Sequence, residues 1–181
     1  MASRMSKTWL IMLTLIIAVL ALVGGALSCN SSSPPDPTPQ SPGAPDFTLP
    51  TMTGSEVTLS ELEGTPVVLN FWATTCAYCA AELPYFEAVA QKSGGEIKVI
   101  VVDVGESAAR VQNFFGGYEP TMIVALDRDG KAFVSYCQRY NNPRGAIPIT
   151  LFIDSEGMVK YTKLGAFKSE TELWDSLHST F

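Results

Sequence analysis

Two cysteines stand three positions apart in Trp72-Ala73-Thr74-Thr75-Cys76-Ala77-Tyr78-Cys79, directly after an apolar run. Thiols at this spacing can close a small disulfide, supply half of a tetrahedral metal site, or cycle as a dithiol/disulfide couple. Structural zinc needs four ligands, and this chain offers one Cys-x-x-Cys pair and a single histidine, His178, near its far end. Covalent haem attachment would need histidine directly after the second cysteine, where Ala80 stands. A purely structural bridge over two intervening residues removes little entropy from the unfolded chain and makes a poor staple. The spacing and placement therefore favour a redox couple, with no metal and no cofactor beyond a Cys76–Cys79 disulfide. Glu82 lies three residues past Cys79 and so shares its face if the segment is helical. A carboxyl group there can hold or deliver the proton that moves when the resolving thiol ionises.

The elements that must position these groups follow from hydrophobic periodicity. Residues 66–73, PVVLNFWA, form a continuous apolar run of strand length, suited to burial on both faces. A helix is expected from about residue 76 to 91, with Leu83, Phe86, Val89 and Ala90 at helical spacing and Gly94-Gly95 ending it. Its start would place unpaired backbone N–H groups and the positive dipole end at Cys76, favouring that thiolate as the attacking group. Cys79, one turn further in, is then placed to resolve the mixed disulfide. Further expected elements are a strand at 97–104, a helix carrying Val111, Phe114 and Phe115, a strand at TMIVALD, a helix over 131–139 and a hairpin formed by ITLFID and MVKYTKL around Ser155-Glu156-Gly157. A last helix starts near Ser169, read as an N-cap with Glu172 completing a capping box. DFTLPTMTGSEVTL reads as a short N-terminal β-hairpin around Thr53-Gly54. Strands alternating with helices, then a closing hairpin, predict an α/β fold with a central mixed sheet flanked by helices. Sites in such sheets lie beyond the carboxyl ends of the strands, where Cys76 falls.

The stretch PVVLNFWATTCAYCAAELP resembles the thioredoxin superfamily, and within it the membrane-attached bacterial thiol-disulfide oxidoreductases of the TlpA/ResA type. The resemblance runs from APDFTLPTMTGSEVTLSELEG to GAIPITLFIDSEG. It rests on Trp-Ala-Thr-x-Cys-x-x-Cys, on Cys79, Glu82 and Pro84, and on Ile147, Pro148, Thr150, Ile153 and Asp154. It implies a thioredoxin-like fold, a kink at Pro84, and a cis Pro148 facing the cysteines, with the Ile147 backbone free to pair with an extended substrate strand. Trp72 is expected as a wall of the site and a substrate contact. Asn70 stands where thioredoxins carry a buried acid; an amide cannot relay a proton, which raises the importance of Glu82. Cys137 is expected as a small buried hydrophobe, with a third redox thiol as the alternative. The resemblance implies reduction of disulfides in exported proteins, apocytochrome c among the candidates, fed by a thiol-reducing membrane electron donor. A disulfide oxidase or isomerase, a peroxiredoxin-like antioxidant enzyme and a non-catalytic binding lipoprotein are the alternatives. The peroxiredoxin pattern needs Thr three before its cysteine and Pro four before that; Ala73 and Leu69 hold those places for Cys76, and Cys76 and Trp72 hold them for Cys79.

The rest of the chain bounds the setting. Its 181 residues are 46% hydrophobic and 17% charged, enough for one packed domain with extensions. A net charge of −6 repels phosphate backbones and argues against nucleic-acid binding. Arg4 and Lys7 precede the apolar run WLIMLTLIIAVLALVGGAL, and no Lys or Arg follows until Lys92. That pattern predicts a signal peptide or membrane anchor in residues 1–28, with everything after it on the outer face of the cytoplasmic membrane. GALSC resembles a permissive bacterial lipobox, with Ala26 where leucine is usual, and makes Cys29 the expected lipidation site. An uncleaved helix over residues 9–27 and plain secretion are the alternatives. Residues 29–45 are Ser- and Pro-rich and read as an extended tether; the folded domain is expected over 46–181.

Overall fold

The structure, a computed structural model, describes residues 43–181. Five strands form the main sheet: β3 (Val67–Trp72), β4 (Lys98–Val104), β5 (Ile123–Asp127), β6 (Ile149–Ile153) and β7 (Val159–Leu164). Their order is β5-β4-β3-β6-β7, parallel across β3, β4 and β5 and antiparallel at β6 and β7. β1 (Thr48–Pro50) and β2 (Glu56–Thr58) make a separate antiparallel pair. Helices α1 (Ala77–Lys92) and α2 (Ala108–Phe115) are the crossovers of the parallel strands, and because both crossovers step the same way across the sheet they cover the same face. α4 (Glu170–His178) joins them there, while α3 (Lys131–Arg139) covers the other face.

Strand β3 is central and buried along its whole length, which is why its sequence is apolar without alternation. Its even positions, Val68 and Trp72, join α1, α2 and α4 in one core layer; its odd positions, Val67, Leu69 and Phe71, join α3 and the N-terminal segment in the other. Asn70 is an even position and points a polar side chain into the α1 layer, wholly buried. The helix ends match their residues: Gly116 closes α2 in the left-handed region at φ 59°, where a Cβ would be strained.

Two expectations are corrected. The domain begins before residue 46. Gly43 bridges Met158, the Ala44 N–H donates to Gly157 O at 2.9 Å, and the hydroxyls of Tyr136 on α3 and of Tyr140, its C-cap, donate to Pro45 O (2.8 Å) and Gly43 O (3.1 Å). Polar backbone that sequence composition assigns to a tether is thus held by α3. The capping box at Ser169 is half formed: its hydroxyl accepts from the Glu172 N–H at 3.1 Å, but the Glu172 carboxylate accepts from the Lys168 N–H and from Lys163 instead. The signal or anchor over 1–28, Cys29 and the tether up to residue 42 lie outside the described residues. Among the described residues no helix is long and apolar enough to cross a membrane.

Candidate active site

Cys76 is the N-cap of α1 and is joined to Cys79 by a disulfide, with the two Cα atoms 5.2 Å apart. The Cys79 N–H donates to Cys76 Sγ at 3.2 Å, the contact that an N-cap oxygen would make in other helices. On reduction that N–H and the helix dipole are aimed at Cys76 and favour its thiolate. Cys76 is half-buried and Cys79 wholly buried, so an incoming sulfur meets Cys76 first. Cys76 Sγ also lies 4.0 Å from Ile147 O, and the Ile147–Pro148 peptide bond is cis. Among the described residues Ile147 makes no backbone–backbone hydrogen bond, and its C=O faces Cys76.

Glu82 is fully buried on the α1 face that also carries Cys79, Leu83 and Phe86. Its carboxyl group accepts from the Phe167 N–H at 2.7 Å and from Asn70 Nδ2 at 3.1 Å; Asn70 Nδ2 also donates to Thr150 Oγ1 at 3.0 Å. Burial pushes the Glu82 pKa up to about 7, against the opposing pull of those two donors and of the Lys163 charge. Lys163 is held beside it by Glu172 at 3.0 Å and lies over the Phe167 ring, 5.1 Å from its centroid. A carboxyl group poised near neutrality, on the helix face of Cys79, is suited to exchange protons with a thiol there.

The structure thus brings Cys76, Cys79, Glu82, Ile147 and Pro148 to one end of the sheet. Trp72 departs from expectation as a substrate contact. Its side chain is wholly buried against Phe114 and Phe115, with ring centroids 5.2 and 5.9 Å away, so it backs the site without lining its surface. Cys137 is a buried free thiol in the opposite core layer; burial raises its pKa, and Asn142 Nδ2 approaches its sulfur at 3.5 Å. Among the described residues no cluster of His, Cys, Asp or Glu is arranged to hold a metal ion. Sequence reasoning missed Phe167, whose contribution is a backbone N–H and carries no residue-type signal, and Lys163. It also missed the Asp103–Glu106–Arg110 group beside Thr74, although an aspartate inside the apolar run IKVIVVDV is a visible anomaly.

Residues 39–177 match the Redoxin family. The thiol-disulfide oxidoreductase ResA of Geobacillus thermodenitrificans is 31% identical over 165 residues, covering 89% of this chain and 90% of that protein. Among solved structures, the exposed lipoprotein thioredoxin Etrx1 of Streptococcus pneumoniae superposes with a TM-score of 0.63 at 29% identity, covering 75% of this chain and 99% of that one. A secreted Mycobacterium tuberculosis disulfide oxidoreductase, homologous to E. coli DsbE, gives 0.61 at 26%, covering 74% and 95%. With a Cys-x-x-Cys pair at the head of α1 and this sheet beneath it, the chain belongs to the Redoxin family as a ResA-type thiol-disulfide oxidoreductase of the thioredoxin superfamily.

Proposed function

We propose that the enzyme works as a reductase of disulfides in exported proteins, apocytochrome c among its candidate clients, on the outer face of the cytoplasmic membrane. The observation that carries the direction is the buried Glu82. A disulfide couple is a strong oxidant when the protein stabilises its dithiol form, chiefly as a thiolate. Here a carboxyl group that ionises near pH 7 sits on the face of Cys79 and opposes thiolate formation there. The dithiol then gains only what the helix start gives the Cys76 thiolate, which supports a less oxidising couple than one in which both thiols ionise.

The chemistry balances in two exchanges. The Cys76 thiolate attacks a client disulfide, forming a Cys76–client bond and releasing one client thiolate. Cys79 loses its proton to Glu82 and attacks Cys76 Sγ, which re-forms the Cys76–Cys79 disulfide and releases the second client thiolate. Two electrons pass to the client and are restored by a thiol-reducing membrane donor. The Ile147 backbone, which makes no backbone–backbone hydrogen bond among the described residues, supports strand-like pairing with the client, which brings its disulfide alongside Cys76. The apolar run before Cys29 supports an outer-face location and attachment by a lipid at Cys29 or by the run itself, and two structurally similar proteins are described as an exposed lipoprotein and as secreted.

The test is the reduction potential of the Cys76–Cys79 couple, measured by equilibration with thiol redox buffers. A value near that of thioredoxin, about −270 mV, or below is expected; one near about −120 mV would make the enzyme an oxidase. Attachment is read separately: labelled palmitate should enter the wild-type protein in cells and be absent from Cys29→Ala. Retention in the membrane without label would assign the anchor to residues 9–27.

A further inference from the structure

Beside the cysteines, on the side away from Glu82, stands a second acidic group that the redox chemistry above leaves unused. Asp103, on β4 opposite Trp72, is wholly buried. One of its oxygens accepts from the Glu106 N–H at 3.3 Å, and the other, Oδ2, receives no donor. The Glu106 side chain turns to the loop that carries Cys76. It accepts from the Thr74 N–H at 2.7 Å and from the Thr74 hydroxyl at 2.8 Å. Arg110 completes the group, with Nε 2.7 Å from Glu106 Oε1 and 2.9 Å from Thr74 Oγ1. A buried carboxylate with one oxygen that receives no donor, beside the charge of Glu106, is disfavoured, and a proton on it relieves both the missing donor and the repulsion.

We propose that Asp103 and Glu106 share a proton as a carboxyl pair and that this pair positions the Cys76 loop through Thr74. Asp103 holds the proton and donates it to Glu106. Glu106, ionised, accepts from Asp103 as well as from Thr74 and Arg110. Burial and the neighbouring Glu106 charge raise the Asp103 pKa to about 8, while Asp103, Thr74 and Arg110 hold Glu106 below the usual range. Glu106 and Arg110 are the charged groups that bear on Asp103; Asp127, at the end of β5, serves the other layer by accepting from the Phe133 N–H. Above about pH 8 the shared proton leaves, the two anions repel, and Glu106 moves with Arg110 off Thr74. The loop two residues before Cys76 then loses its anchor. Asp103 and Glu106 are positioning residues, and their role is independent of the direction in which the couple runs.

The experiment uses the oxidised protein, in which neither active-site cysteine titrates. The Thr74 amide is followed by two-dimensional NMR from about pH 6 to 10, spanning the range in which a carboxyl this perturbed ionises. In the wild type its shift should move with a midpoint near 8. In Asp103→Asn, whose amide donates to Glu106 at every pH, that inflection should vanish, while Glu82-linked shifts near Phe167 persist. In the reduced protein, disulfide exchange by the wild type should fall below its Cys76 thiolate titration curve above pH 8, and the variant should follow the curve. A flat Thr74 amide in the wild type, or an inflection unchanged in the variant, overturns the proposal. Should Asp103→Asn not fold, the carboxyl carbon of Asp103 in the wild type decides: titration near 8 supports the pair, and titration in the ordinary aspartate range removes it.

Discussion

At the scale of single residues, Glu82 and Asn70 explain each other. Asn70 occupies a buried strand position where it relays no proton, but its amide can turn. With Nδ2 toward Glu82 it serves the carboxylate, and Oδ1 then has no donor. Turned over, Oδ1 accepts from a protonated Glu82, and Thr150 Oγ1 can meet either end because a hydroxyl both donates and accepts. One amide thus serves both states of a carboxyl group that changes protonation near pH 7. Glu82→Gln keeps the shape and fixes the neutral form. It should fold normally, lower the Cys79 thiol pKa by removing a nearby charge, and slow disulfide exchange by about tenfold or more, the low end of general acid–base effects. Thiol titration and exchange rates against pH for both proteins test this; superimposable curves would reduce Glu82 to a packing residue. The spacing Cys79-x-x-Glu82 made the carboxyl group legible in the sequence, because three residues along a helix return to the same face. Its burial and its Phe167 donor were not legible, since that N–H comes from 85 positions further on.

At the scale of elements, nearly every strand and helix was readable from periodicity, and β3, the two Gly-closed helices and the final hairpin lie where apolar runs and turn residues put them. What periodicity could not reach was the docking of residues 43–45, because its anchors are hydroxyls on α3 and its C-cap, more than ninety positions away. Pro-rich composition speaks only to local propensity, and a distant donor overrides it. Tyr136 is wholly buried, its ring packed on Phe71 and Phe47 and its hydroxyl on Pro45 O. Tyr136→Phe keeps the ring contacts and leaves Pro45 O without its donor. The expected loss is about 1–2 kcal/mol of unfolding free energy, read as a lower denaturant midpoint at unchanged slope. The reduction potential should not change, since α3 lies in the layer opposite Cys79. A shifted potential would mean that the two layers are coupled through β3.

At the scale of the whole molecule, the two buried carboxyl groups whose pKa values rise into the neutral range lie in one layer of the sheet, and this arrangement sets how stability follows pH. Glu82 and Asp103 both lie in the α1 layer with pKa values raised from 4.5 to about 7 and from 3.8 to about 8. A raised folded pKa means that the native state holds a proton the unfolded chain has released, so stability falls as pH climbs from the unfolded value to the folded one. Each such group contributes a slope of at most about 1.4 kcal/mol per pH unit within its window. Glu87, Glu106 and Asp154 act oppositely: their folded pKa values are lowered by hydrogen bonds from backbone N–H groups and other partners, so their contribution is present above the unfolded value and lost as pH falls through the folded one. The two trends cross near pH 5, and the net charge of −6 at neutrality adds repulsion on the alkaline side. Thermal unfolding of the oxidised protein should therefore give its highest midpoint at about pH 5 and a steady fall toward pH 9. Combining Glu82→Gln with Asp103→Asn removes both buried protons from the balance and should flatten the alkaline fall, while leaving the acid limb in place because Glu87 and Asp154 are untouched. An alkaline fall as steep in the double variant as in the wild type would place the responsible protons elsewhere, and the α1 layer would then owe its acids to the redox chemistry without any effect on how the fold responds to pH.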